Sequence, residues 1–334
     1  MLARTLSNFD EAMTTRTMME VRVARKTFEA QDICTFELVD LSGGPLPNFS
    51  AGSHIDVEVG PGVVRQYSLC NDAKERDRYL IGILRDPNTR GGSARLHDHV
   101  SEGSVIRISE PRNHFPLVHG VKRSVLLAGG IGVTPILCMA AQLAEAGADF
   151  EMHYCTRSQT RTAFRERILD SDFADKVHFH YDDGDPQQKI AIPALLATPD
   201  SQTHLYVCGP SGFLDLVIST AKANGWADSN VHFEYFAGKE VDASTNVGFH
   251  VKIASTGKLI PVTRDQSVTT ALQSSGIEIP MSCESGVCGT CVTRVLEGEI
   301  DHRDMYFTDE EKARNDQFTP CCSRAKSDLL VLDL

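Results

Sequence analysis

Cys283-Glu284-Ser285-Gly286-Val287-Cys288-Gly289-Thr290-Cys291 spaces three cysteines as C-x4-C-x2-C, and Cys321 follows about thirty residues later. That is the plant-type [2Fe–2S] ligand spacing. Four thiolates must converge on two irons, so a loop supplying three of them needs small residues where backbone amides approach sulfide. Ser285, Gly286, Gly289 and Thr290 meet that need. Zinc sites usually draw on two short C-x2-C arms, and this stretch holds one. Cys321 and Cys322 are neighbours, so spacing alone leaves the fourth ligand open between them.

Outward from the loop, residues 248–334 read as one α+β unit. FHVKIAST-GKLIPVT has a hairpin pattern turning at Thr256-Gly257, and SVTTALQSSG reads as a short helix. Residues 238–247 are polar and aperiodic, which predicts a linker. Upstream, from Ser124, strand and helix patterns alternate: SVLLAGG, PILCMAAQLAEAG, FEMHYCT, TAFRERIL, VHFHYD, IPALLAT, HLYVCGP, GFLDLVISTAKANG and VHFEYFAG. Alternation of this kind predicts an α/β unit with a parallel sheet over 119–237. Pro135 suits a first helical turn and Gly147 a C-terminal cap.

Residues 18–118 carry many short apolar or alternating runs punctuated by GGPLPN, GPG and DPNTRGG, the pattern of a small antiparallel β-barrel. Residues 1–17 lack periodicity and read as a flexible lead-in. The chain is therefore multidomain. A net charge of −12 over 334 residues argues against a nucleic-acid partner, which needs a basic face. The N-terminus has no apolar signal core, and the most apolar stretch, 124–144, is broken by Gly129, Gly130, Gly132 and Pro135, so no membrane span is expected. Cysteines outside the tail stand singly, and the compartment expected is a reducing cytoplasm.

Two further constellations carry chemistry. Arg65-Gln66-Tyr67-Ser68 ends a barrel strand, and Arg90-Gly91-Gly92-Ser93 follows one hairpin later. Alternation puts Arg65 and Tyr67 on one side. The glycines let backbone approach an anion, and the helix opening at SARLHDHV offers amides to a phosphate. Gly129-Gly130-Ile131-Gly132-Val133-Thr134-Pro135 lies between strand and helix, where a pyrophosphate-cradling turn belongs, although it lacks the third glycine of the common fingerprint. Cys208-Gly209-Pro210 ends a later strand, where open α/β sheets bind ligands. Arg157, Ser158 and Arg161 occupy the ribose-reading region with no acid before Glu166, which leaves both NADH and NADPH open.

Together these segments resemble the phthalate dioxygenase reductase-like family, the group that includes vanillate demethylase reductases, from about Val21 to Leu334. The resemblance implies an FMN-binding barrel, an NAD(P)H-binding α/β domain and a β-grasp ferredoxin domain, in that order. It implies that Arg65 and Gly91-Gly92-Ser93 hold the FMN phosphate and that Tyr67 and Ser68 line the ring, with FAD as the alternative flavin. Gly130, Gly132, Thr134, Pro135, Cys208, Gly209 and Pro210 would hold the nicotinamide coenzyme. Phe236 aligns with an aromatic placed beside the flavin, core packing being its competing role. The family's fourth cysteine precedes x-Ser-Arg, which Cys321-Cys322-Ser323-Arg324 matches. That selects Cys321 beside Cys283, Cys288 and Cys291, and makes Cys322 a small core residue.

The activity implied is electron transfer from NAD(P)H through flavin and cluster to a terminal oxygenase, expected to be a Rieske non-haem iron enzyme of aromatic catabolism. No side chain need act as acid or base. A reductase for a cytochrome P450 or a di-iron monooxygenase is the enzymatic alternative. An iron–sulfur redox sensor is the alternative of another class, and no effector segment supports it. Asp301, Asp304, Asp309, Glu310, Glu311 and Asp316 form an acidic run in the ferredoxin unit, either an ordinary solvated face or a surface that steers the electron-transfer partner.

Overall fold

The structure, a computed structural model, describes residues 18–60, 63–86, 91–236, 238 and 243–334. The expected lead-in (1–17), Arg90 with the three residues before it, Pro61-Gly62 and most of the first half of the expected linker lie outside the described residues. Described residues through Phe236 form one compact unit and those from Gly238 onward a second.

The first unit opens with β1 (Met18–Ala30), β2 (Ile33–Asp40), β3 (Ser53–Gly60), β4 (Val63–Ser68), β5 (Tyr79–Leu84), α1 (Gly92–His99), β6 (Val105–Ser109) and β7 (Arg112–Asn113). The antiparallel order is β4-β3-β6-β1-β2-β5, with β7 on β3. A bridge between Leu69 and Ile81 returns the end of β4 to β5, so the sheet closes as the expected barrel. Alternate residues face inward, with Val21, Val23, Phe36, Leu38, Ile55, Val57, Ile81 and Ile108 in one apolar cluster.

It continues through β8 (Arg123–Gly129), α2 (Val133–Glu145), β9 (Asp149–Thr156), α3 (Arg165–Leu169), β10 (Val177–Tyr181), α4 (Ile192–Leu195), β11 (Thr203–Cys208), α5 (Ser211–Ala223) and β12 (Val231–Glu234). The strands are parallel in the order β10-β9-β8-β11-β12. The chain runs outward from β8 through β9 and β10, then returns to place β11 on the other side of β8. The switch point lies between β8 and β11, and ligands of open sheets bind at the carboxyl ends there. Gly147, at φ +62°, takes the left-handed position just past α2.

The expected boundary at 118–119 does not separate two cores. Ala30, Ile33, Ala51, Phe115 and Leu117 share a cluster with Leu126, Ile136, Met139, Tyr154 and Phe164. One end of the barrel is as apolar as the α2 face of the sheet, and each covers the other. Gly82 marks the closest approach: a Cβ there would stand 3.0 Å from both the Phe164 ring and Thr134 Cγ2.

The second unit contains β13 (Phe249–Ile253), β14 (Leu259–Val262), α6 (Val268–Ser274), β15 (Thr293–Glu297), β16 (Ile300–Asp301), α7 (Asp309–Ala313), β17 (Gln317–Phe318), β18 (Arg324–Ala325) and β19 (Leu329–Leu332). The main sheet runs β14-β13-β19-β15-β17, with β13 and β19 parallel. Val268, Ala271 and Leu272 of α6 pack with Val251, Ile260 and Leu330, a sheet grasping one helix. Ser267 caps α6 by accepting the Thr270 N–H at 3.1 Å. Among the described residues no helix is long and apolar enough to cross a membrane.

Candidate functional site

The cysteine loop lies between α6 and β15. Gly286 and Gly289 take φ of +75° and +69°, a backbone region that excludes most side chains. Space demands glycine there as well: a Cβ on Gly289 would lie 2.2 Å from the Tyr306 ring, and one on Gly286 would lie 2.3 Å from Cys322 Sγ. Cys283 interacts with Cys288, and Cys321 with both Cys291 and Cys322. Cys288 and the amides of Ser285 and Val287 hold the Cys283 thiol well below its ordinary value against the opposing effect of burial. Cys288 Sγ lies 3.2 Å from Thr290 Oγ1.

Among the described residues no three His, Cys, Asp or Glu side chains gather where one metal ion could be held. Thiols gathered from one loop and one turn, with amides aimed at sulfur, fit a cysteine-held iron–sulfur cluster. Cys322 is half-buried rather than in the core. It contacts Cys321 and the Thr319 hydroxyl, the latter at 3.3 Å, because the turn at Thr319–Ser323 points it back at the loop.

The acidic run is not a single solvated face. Asp304 is 2% exposed and accepts the Tyr306 and Phe307 amides at 3.2 and 2.9 Å. Glu311 completes a capping box with Thr308 at the start of α7. Asp309 and Glu310 share that first turn, where carboxylates complement the helix dipole.

In the barrel, Tyr67 stands opposite Ile55 and Arg65 opposite Val57 across β3 and β4. Tyr67 packs against the barrel core, and burial pushes its phenol up, with Arg65 opposing. A Cβ on Gly92 would lie 3.0 Å from Arg65 Cγ, so Arg65 reaches the start of α1. Gly91 precedes that helix at φ +92°. Ser93 accepts the Asp86 amide at 3.2 Å. The structure thus brings Arg65, Gly91, Gly92 and Ser93 together, with the Arg65 guanidinium donating to the Val64 carbonyl at 2.8 Å.

At the switch point, the turn after β8 packs on the segment after β11. A Cβ on Gly132 would lie 2.4 Å from the Cys208 carbonyl oxygen, and one on Gly129 2.9 Å from Pro210 Cδ. Thr134 is buried and donates its hydroxyl to the Ile131 carbonyl at 3.1 Å. Gly130, Pro135, Cys208 and Gly209 thus come together at the carboxyl ends of β8 and β11, where Pro135, Cys208 and Gly209 are buried, and Pro210 precedes α5. Arg157 is exposed and Ser158 half-buried on the loop after β9. Phe236 is 41% exposed just beyond β12 and is not in the core.

Glu234 is a residue that sequence reasoning passed over. Its one signal was a carboxylate inside the aromatic run HFEYF. It stands opposite Cys208 in the β11–β12 register and accepts the Ser68 hydroxyl at a long 3.5 Å. It joins the barrel's flavin strand to the coenzyme crevice. Burial pushes its carboxyl up to about 8, with Ser68 opposing, and burial also drives the Cys208 thiol up, helped by Glu234. Because the folded value exceeds the ordinary 4.5, the contribution to stability is complete below about 4.5 and is lost as pH rises through about 8. Melting temperature is expected to fall less steeply between pH 5 and 8.5 in Glu234→Gln than in wild type. Parallel curves in differential scanning calorimetry would show that Glu234 ionises normally.

Residues 251–326 match the 2Fe-2S iron-sulfur cluster binding domain family. The chain is 54% identical over 317 residues to a vanillate O-demethylase oxidoreductase of Pseudomonas sp. (strain HR199 / DSM 7063), covering 95% of this chain and 100% of that one. It is 41% identical to phthalate dioxygenase reductase of Burkholderia cepacia, covering 95% and 97%. The solved structure of a phthalate dioxygenase reductase, described as modular for electron transfer from pyridine nucleotides to [2Fe-2S], superposes with a TM-score of 0.77 at 40% identity, over 95% of this chain and 98% of that one. An intact type IV self-sufficient cytochrome P450 monooxygenase matches at TM-score 0.79 and 41% identity, over 95% of this chain and 41% of that one.

Proposed function

Since the chain belongs to the family of oxygenase reductases that includes vanillate O-demethylase oxidoreductase and phthalate dioxygenase reductase, we propose that it is the reductase of a two-component Rieske-type oxygenase. The oxygenase would hydroxylate or demethylate an aromatic compound. The reading rests on one observation above others: a single chain carries the cysteine loop, Arg65 beside the start of α1, and the glycine turn packed at the β8–β11 switch point.

Bound FMN and [2Fe–2S] would supply the conversion of a two-electron hydride from NAD(P)H into single electrons. The chain's own residues bind and orient. Arg65, Gly91, Gly92 and Ser93 hold the flavin phosphate, while Tyr67, Ser68 and Phe236 border its ring. Gly130, Gly132, Thr134 and Pro135 present backbone to the coenzyme, with Cys208, Gly209 and Pro210 on the other side of the crevice. Arg157 and Ser158 read its ribose. Cys283, Cys288, Cys291 and Cys321 ligate the cluster. The domain bounds read from sequence, 18–118, 119–237 and 248–334, divide these tasks among barrel, sheet and ferredoxin.

Anaerobic mixing with NADH is expected to bleach the flavin band first and the cluster bands second. Oxidation should then follow addition of a Rieske demethylase component, and transfer to that component no faster than free flavin supports would overturn the proposal. The match to the P450 fusion favours a second reading, a reductase for a P450. Faster transfer to a P450 haem domain than to the Rieske protein would select it.

Acid-released flavin is expected to run as FMN. Arg65→Ala removes a charge-assisted phosphate contact worth about 1.5–3 kcal/mol, so flavin affinity should fall about ten- to a hundredfold. Unchanged occupancy after dialysis would assign Arg65 to the strand surface alone.

A further inference from the structure

The second strand of a dinucleotide-binding sheet ends where the adenosine ribose is read. Here that strand is β9, and residues 156–162 follow from its end with Arg157 and Arg161 as their cations. This loop is fastened to the barrel. Gln31 donates its amide to the Thr160 carbonyl at 2.9 Å, and Asp32 Oδ2 lies 3.5 Å from Arg161 Nη2. Gln31 and Asp32 make the turn between β1 and β2, where Asp32 takes a left-handed φ of +63°.

The other side of the loop is acidic too. The amides of Asp182 and Asp183, just past β10, donate to the Thr156 and Arg157 carbonyls at 3.0 and 3.2 Å. That turn also carries Asp185. Arg161 is thus drawn to the barrel, and Arg157 stays exposed on the loop as its other cation. A ribose 2′-hydroxyl can be accommodated there without a cation, whereas a 2′-phosphate gains from a second cation beside Arg157.

We propose that Asp32 is a positioning residue for coenzyme choice: it draws the Arg161 guanidinium to the barrel and away from a 2′-phosphate, so the chain favours NADH over NADPH. The inference rests on the reductase reading above, and it names a determinant on the barrel rather than on the coenzyme-binding sheet. The pair is partly exposed, 34% for Arg161 and 46% for Asp32, so solvent screening limits its strength.

The test is steady-state kcat/KM of the holoenzyme for NADH and NADPH, at low salt with ferricyanide as acceptor. Asp32→Asn is the clean variant, because asparagine tolerates the left-handed turn as aspartate does. The NADPH-to-NADH ratio is expected to rise about fivefold, the upper end for an exposed pair, through KM for NADPH rather than kcat. In an Arg161→Gln background Asp32→Asn should leave the ratio unchanged, since the residue it acts through is gone. A ratio unmoved by Asp32→Asn, or raised equally in both backgrounds, would overturn the proposal. A general loss of folding affects both coenzymes alike and cancels from the ratio. Wild-type enzyme that oxidises neither coenzyme would instead overturn the reductase reading itself, and this one with it.

Discussion

Replacing any one of Cys283, Cys288, Cys291 or Cys321 by serine is expected to abolish the cluster's visible absorption and electron paramagnetic resonance signal, and to reduce electron delivery to an oxygenase to background. These four cysteines would hold the cluster, so each substitution would remove one of its four protein ligands. Soft thiolates are what such clusters select, and a serine hydroxyl is a poor substitute. Flavin reduction by NADH should survive in all four variants, because the barrel and parallel sheet belong to the other unit. Cys322→Ser is the contrast. Its sulfur contacts Thr319 at 3.3 Å, a contact a hydroxyl can replace, so the cluster should remain. A cluster lost in Cys322→Ser and kept in Cys321→Ser would reverse the assignment of the fourth ligand.

Gly132→Ala is expected to raise KM for NADH at least about tenfold, with stability lower by about 1–3 kcal/mol, the usual cost of overpacking. The methyl would lie 2.4 Å from the Cys208 carbonyl oxygen and 2.6 Å from the Gly209 nitrogen. Both are backbone atoms, so no rotamer change relieves the clash. Either the turn after β8 or the segment after β11 must move, and both belong to the coenzyme site proposed above. Gly212→Ala serves as control, being exposed in the first turn of α5 with nothing near its would-be Cβ. It should leave KM unchanged. Calorimetry and NADH titration of flavin bleaching measure the pair, and equal KM values would place the coenzyme elsewhere.

The features readable in the sequence were those whose determinants lie close together along the chain. The cysteine loop takes three of its thiols from nine consecutive residues, and the turn at Gly129–Pro135 is contiguous, so spacing and residue size were enough to single them out as candidates. The barrel and parallel sheet were equally visible, because strand and helix periodicities repeat locally. What stayed hidden depends on distant pairs. Asp32 meets Arg161, and Glu234 meets Ser68, only once barrel and sheet are folded together. Asp304 looked like one more surface carboxylate. Its burial follows from two backbone amides that turn back onto it, which composition does not record. The boundary near residue 118 was legible as a change of rhythm, but not as a core shared across it.

That shared core also determines what heredity can rearrange. A recombination event separating barrel from parallel sheet would strand Phe115 and Leu117 on one fragment and Tyr154 and Phe164 on the other. All four are now at most 7% exposed, and each large apolar side chain left in water forfeits about 1.5–3 kcal/mol. Among the described residues, the apolar cluster of the ferredoxin unit is drawn from Phe249 to Leu334. Exchanging or relocating the iron–sulfur carrier is therefore a small step for a lineage built on this plan. Replacing the coenzyme-binding half alone is a large one, and new coenzyme habits are more readily reached by single substitutions on loops such as the Gln31–Asp32 turn.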